Sequence, residues 1–136
     1  MSNARPHGRR VAAACAAAVL TSGCAGAQDD AATAAARDLL AAVQEGDGAA
    51  ACRVLAPAAA DELEQTSGEP CDRAVLEEDL GSGDGPVRTE VFDAMAQVRV
   101  GADTLFLSRF GARWLVVAAA CTPVEDRPYD CSIGLP

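Results

Sequence analysis

Between Gly81 and Pro86 the spacing of apolar residues changes, and no other feature restricts the possible folds as strongly. Ahead of Gly81-Ser82-Gly83-Asp84-Gly85-Pro86 the apolar residues recur every three or four positions, the spacing of one helix face. Behind it they alternate, the spacing of one strand face. The six residues themselves read as a flexible linker. Helices followed by an antiparallel meander predict an α+β domain, with the N-terminal helices packed on one face of a curved antiparallel sheet.

The helical half divides at its glycines and prolines. Asp29 and Asp30 are expected to cap a first helix, in which Ala32, Ala36, Leu39, Leu40 and Val43 form one apolar stripe while Arg37 and Gln44 point elsewhere. Gly46-Asp47-Gly48 stops that helix, and Asp47 can cap the next, which carries Cys52, Val54 and Leu55 as far as Pro57. Pro57 opens a further helix through Leu63 that ends at Ser67-Gly68. After Pro70 comes a helical piece with Cys71, Val75, Leu76 and Leu80, whose acidic end at Glu77, Glu78 and Asp79 opposes the helix dipole. In the second half Val87, Thr89 and Val91 alternate, as do Ala94, Ala96, Val98 and Val100. Gly101-Ala102-Asp103 turns the chain; Leu105 and Leu107 then face one way and Phe106 and Phe110 the other. After Gly111-Ala112, the run from Trp114 to Ala120 is apolar throughout and reads as a central strand covered on both faces. The tail from Thr122 to Pro136 reads as an ordered loop with at most one short strand.

The N-terminus has a different character. Arg5, Arg9 and Arg10 precede an apolar run from Val11 to Leu20, which ends in Leu20-Thr21-Ser22-Gly23-Cys24. This order of basic, apolar and small residues is that of an export segment. As a helix the run reaches roughly 15 Å, half of a hydrocarbon core about 30 Å thick, too short to span a membrane. The end of the run resembles the lipobox of bacterial lipoproteins, with Thr21 where leucine is usual. The resemblance implies that Cys24 receives a diacylglyceryl group and becomes the first residue of the mature protein, on the outer face of the cell membrane. A competing small-x-small site, Ala25-Gly26-Ala27, would instead release a secreted chain starting at Gln28. The expected organisation is a lipoprotein signal peptide over 1–23, a tether over 24–28 and one α+β domain over 29–136.

Charge narrows the choice of partners. Of the 11 basic residues in the 136-residue chain, the export segment holds Arg5, Arg9 and Arg10; its removal leaves eight against 20 acidic residues, and the formal charge moves from −9 to −12. Such a surface repels nucleic-acid phosphates and anionic headgroups, so no nucleic acid is expected as a partner, and attachment to the membrane has to come from lipid.

A wider resemblance rests on several stretches. These are Ala35 through Cys52, with a helix followed by Gly46-Asp47 and a cysteine in the next helix; Arg113-Trp114-Leu115-Val116-Val117; Ala120-Cys121-Thr122-Pro123; and Arg127-Pro128-Tyr129-Asp130-Cys131. Together they are similar to small extracytoplasmic lipoproteins of actinobacteria with a nuclear-transport-factor-two-like, or cystatin-like, domain. The resemblance implies a cone formed between helices and sheet, in a superfamily whose members include ketosteroid isomerase, polyketide cyclases and many non-catalytic proteins. With Cys15 removed and Cys24 lipidated, four cysteines remain in an oxidising compartment. They allow three pairings. The expected one is Cys52 with Cys71, tying two helices, and Cys121 with Cys131, closing the tail onto the last long strand.

Several chemistries are excluded or disfavoured. The only histidine, His7, leaves with the export segment, which removes Ser-His-Asp and Cys-His relays and any histidine-bearing metal site. Close Cys-x-x-Cys pairs are absent, so no zinc site is expected. Asp79 to Asp84 fails as a calcium loop because Leu80 and Val91 would fall at ligand positions. Gly81, Gly83 and Gly85 precede a strand and lack the further glycine of a dinucleotide fingerprint. No cofactor is expected. An isomerase-like or cyclase-like enzyme would need a carboxylate and a hydroxyl donor inside an apolar cone. The only tyrosine, Tyr129, falls in the disulfide loop, and Asp93 and Asp103 fall at strand ends.

The expected function is therefore a lipid-anchored, non-enzymatic domain that binds a protein partner at the cell envelope or a small apolar ligand. The alternative is the enzyme of the same fold. The residues expected to wall a cone are Leu39, Val43, Val98, Leu105, Leu107, Trp114 and Val116. A ligand-binding cone would hold a cavity between them. A partner-binding module would have them packed together and would expose apolar side chains on the outer face of the sheet.

Overall fold

The structure is a computed structural model that describes residues 23–126 and 128–134. The apolar run Val11 to Leu20, the arginines ahead of it, Cys15, Arg127 and the first part of the lipobox lie outside the described residues. Four helices come first: α1 (Gly23–Gln44), α2 (Gly48–Val54), α3 (Pro57–Ser67) and α4 (Cys71–Ala74), the last continued by a 3-10 turn, Val75–Glu77. Five strands follow: β1 (Val87–Phe92), β2 (Met95–Val100), β3 (Asp103–Phe110), β4 (Arg113–Thr122) and β5 (Asp130–Gly134). The fold is α+β. The strands form one open antiparallel sheet in the order β1-β2-β3-β4-β5.

Each helix boundary has a local cause. The Asp47 carboxylate accepts the Ala50 backbone N–H at 2.8 Å and starts α2. Pro57 occupies the first turn of α3, and Gly68, in the left-handed region, ends it by donating its N–H to the Glu64 carbonyl. The helical piece after Pro70 is shorter than the periodicity predicts. It tightens to a 3-10 turn at Val75 and ends at Glu77, where three successive acids stand at the negative end of the dipole.

Two further expectations are corrected. Residues 24–28 are not a tether but the first turns of α1, so Asp29 and Asp30 lie inside the helix instead of capping it. Ala25 and Ala27 favour helix, and Gln28 is held by the Trp114 indole N–H at 3.2 Å. The segment 81–86 is not a flexible linker. The Asp103 carboxylate accepts the Gly81 N–H at 3.1 Å, the Pro86 carbonyl accepts the Gly101 N–H at 3.0 Å, and a Cβ on Gly83 would come within 3.1 Å of the Leu40 Cβ. Here glycine permits a close approach to α1. The continuous apolarity of β4 is that of an interior strand covered on both faces, as expected: β3 and β5 flank it, the Leu55–Ala56 segment joins it at Val116, α1 to α3 lie over one face, and Leu115 and Ala118 are buried on the other.

The register decides which residues meet. Thr89, Val98 and Leu105 form one row, and Val91, Ala96, Leu107 and Val116 the next; both face the helices. Leu107 pairs with Val116 but Phe106 with Ala118, so Val117 is an extra residue that bulges β4 and shifts its core-facing set from Trp114 and Val116 to Ala119.

Cys52 is bonded to Cys71, joining α2 to α4, and Cys121 to Cys131, opposite each other across β4 and β5. The pairing matches the one expected from the sequence. Replacing Cys121 and Cys131 together by alanine is expected to cost about 2.5 kcal/mol by the chain-entropy relation for a short loop. Amide hydrogen exchange should speed up in β4 and β5 before it changes in α1. Equal loss of protection in α1 and β5 would contradict that order.

Candidate functional site

The residues expected to wall a cone do meet, but as the packed centre of the molecule. Leu39, Val98, Leu105, Leu107 and Val116 are each 0% exposed and Trp114 is 5% exposed, while Val43 packs against them from the rim. Of the seven, Trp114 also borders a surface cleft of about 330 Å3 between α1 and the β3–β4 turn, beside Asp38, Val54 and Arg113. Among the described residues no helix is long and apolar enough to cross a membrane, and no group of three His, Cys, Asp or Glu side chains converges to hold a metal ion. Cys24 stands exposed in the first turn of α1 with a free thiol. Its neighbours 25 to 27 are also exposed.

The two aspartates at strand ends stand apart from the packed centre. Asp103 holds the Gly81 N–H, and Asp93 occupies the β1–β2 turn with φ of 56°. Tyr129 lies on the face of the sheet away from the helices. Its ring meets the edge of Phe106 at 5.0 Å between centroids, and its hydroxyl accepts from the Gln97 side-chain amide at 2.7 Å and the Arg99 guanidinium at 3.1 Å. The tail therefore folds across the middle of this outer face. Beneath it Thr104 and Ala118, which point away from the helices, are buried.

The end of the same face beside the β1–β2 turn is open at Phe92 and Met95, whereas Leu115 on its far side is buried and Phe110 borders a cleft against the start of α3 with Ala58, Ala59 and Glu62. Phe92, Met95, Ser108 and Leu115 form one cross-strand row, with Phe110 in the next. Phe92 is 65% exposed, Met95 50% and Phe110 47%. Large apolar side chains grouped in this way on an acidic protein mark an interaction surface more often than chance exposure does. The alternation of β3 places Phe110 on this face. Phe92 and Met95 were missed, although counting on from Val91 and back from Ala96 assigns them to it.

No protein-family model matches the chain, and neither a curated protein nor a solved structure matches it.

Proposed function

We propose that the chain is a lipid-anchored, extracytoplasmic, non-enzymatic domain that engages a protein partner through the outer face of its sheet. The observation that carries this reading is the contrast between the two faces. Side chains that would wall a ligand cone are packed against each other, while Phe92, Met95 and Phe110 face solvent on the opposite side. Residues of this kind, desolvated at the centre of an interface, supply most of the energy of protein association. A cystatin-like arrangement is supported by the placement of the helices on one face and by the bulge at Val117, a feature of the kind that bends a strand.

Attachment through Cys24 fits this placement. α1 runs without a break from Cys24 to Gln28, which the Trp114 indole already holds against the domain, four residues or about 6 Å along a helix. The domain would therefore sit about one helical turn from the lipid. Two acyl chains suffice for stable anchoring.

Photocrosslinking in living cells tests both parts. A benzophenone side chain at Phe110 is expected to give a discrete crosslinked product, and the same group at Asp61, exposed on α3, is not. Cys24→Ser is expected to leave an unprocessed precursor or shed the protein into the medium, with loss of the product. Identical crosslinking from positions 110 and 61, or none from 110, would remove the outer face as the partner site.

A further inference from the structure

The open edge of the sheet carries a self-complementary pattern, and we infer that two copies of this chain associate there, β1 against β1, about a two-fold axis at Thr89. Among the described residues β1 is paired within the sheet with β2 alone, whereas β5 at the other edge is covered by α3. A bare edge strand presents unpaired backbone groups to any strand that can match it.

The side chains select the match. Arg88, Glu90 and Phe92 point to the outer face and Val87, Thr89 and Val91 to the helices. In an antiparallel β1–β1 pair, residues opposite each other share a face, so permitted registers differ by steps of two residues. With Thr89 opposite Thr89 of the second copy, Arg88 stands opposite Glu90 and Glu90 opposite Arg88. Phe92, 65% exposed in the single chain, then lies opposite Pro86 at both ends of the pair. Val87 and Val91 meet on the inner face. Shifting the register by one step in either direction sets Arg88 against Arg88 or Glu90 against Glu90, which is unfavourable for directly opposed residues. Within each strand the Arg88 guanidinium already holds the Glu90 carboxylate at 2.7 Å, so the two-fold pair joins two such ion pairs head to tail into one network of alternating charge, with Arg99 beside Arg88 in the sheet.

A second layer agrees. The Thr33 and Thr89 hydroxyls are 2.6 Å apart, so the flank of α1 that carries Thr33 lies over this edge. One turn to either side of Thr33, on the same flank, are Asp29 and Arg37. Neither is in an ion pair among the described residues. A two-fold axis at Thr89 passes beside Thr33 and sets Arg37 of each copy toward Asp29 of the other. The inference does not rest on the partner reading above: of the three exposed apolar side chains of that surface it uses Phe92 and leaves Met95 and Phe110 free.

Charge reversal tests the register. The full chain in mild detergent is studied by sedimentation equilibrium at matched density, near 0.15 M salt, where the Debye length of about 8 Å screens the net negative charge of the two copies. Wild type is expected to dimerise. Arg88→Glu and Glu90→Arg each turn both symmetry-related pairs from attractive to repulsive, and should weaken self-association on the order of tenfold or more. An equal mixture of the two single variants should recover a heterodimer, since each then offers what the other needs, and the double variant R88E/E90R should dimerise like wild type. Circular dichroism of each variant checks that these exposed substitutions leave the fold unchanged. A monomeric wild type overturns the inference. So does a dimer that persists unaltered in both single variants, which would be held by another surface, or a mixture that stays monomeric.

Discussion

Replacing Gly48 by alanine is expected to destabilise the domain by about 3 kcal/mol, the upper part of the range for overpacking a buried site, and to leave a fraction of Cys52 and Cys71 as free thiols. Gly48 opens α2, is buried, and lies against the backbone of α4. A Cβ at this position would collide with the Asp72 carbonyl oxygen and stand 2.6 Å from the carbonyl carbon. These are main-chain atoms that cannot swing aside, so the two helices would have to separate. Cys52 follows Gly48 by one turn and Cys71 precedes Asp72 by one residue. Their Cα atoms are 6.1 Å apart, and an added ångström would exceed the span of about 6.8 Å that a disulfide bridges. Gly46→Ala is the contrast. Its Cβ would meet nothing within 4 Å, and only the positive φ of 71° opposes it, a cost of roughly 1 kcal/mol. Urea unfolding and thiol counting on both variants give the comparison. Equal losses, with full disulfide formation in Gly48→Ala, would show that the close approach of α2 to α4 does not control this end of the molecule.

Leu105→Ala is expected to cost about 3 to 4 kcal/mol, as truncation of a fully buried leucine does when the surroundings cannot close over the void. Leu105 is 0% exposed beside Val98 in the row that faces the helices, and Leu39 and Leu107 are equally buried. The magnitude decides between two pictures of the same residues. A side chain that walls an existing cavity lacks partner atoms on one side and loses few contacts when shortened. One packed on all sides loses many. Phe92→Ala, on the exposed end of the outer face, should change stability by less than about 0.5 kcal/mol. A cost below roughly 1 kcal/mol for Leu105→Ala would favour a ligand cone and return the isomerase-like alternative to consideration.

The β half was legible because alternation is a local property. The positions of Val87, Thr89, Val91, Val98, Leu105 and Leu107 on one face follow from a period of two, and the turns at Gly101 and Gly111 mark where it resets. What alternation does not reveal is which face will be covered and by what. Tyr129 reaches Gln97 and Arg99 across 30 residues or more, and only that long-range contact shows that the tail shields the middle of the outer face while leaving Phe92, Met95 and Phe110 open. The bulge at Val117 was hidden because every residue from Trp114 to Ala120 is apolar, so a shift of face leaves no trace in the pattern. In the helical half, composition misled in two ways. The linker composition of 81–86 conceals a segment fixed by Asp103, Leu40 and Gly101, and the small and polar residues from Ala25 to Gln28 suggested a tether where the alanines sustain a helix.

In the proposed function a domain held by lipid at Cys24 would offer the outer-face end to a protein and keep no small molecule inside. Native mass spectrometry of the full-length product, recovered from its own membrane in detergent, tests this most directly, because one spectrum reads the processed terminus, the acyl groups, the disulfides and any bound ligand. The account predicts a chain that begins at Cys24, carries diacylglyceryl mass, is lighter than the reduced protein by the hydrogens of two disulfides, and holds no small molecule. A lipid-free chain that begins at Gln28, or a stoichiometric apolar ligand that disappears on Leu105→Ala, would contradict it.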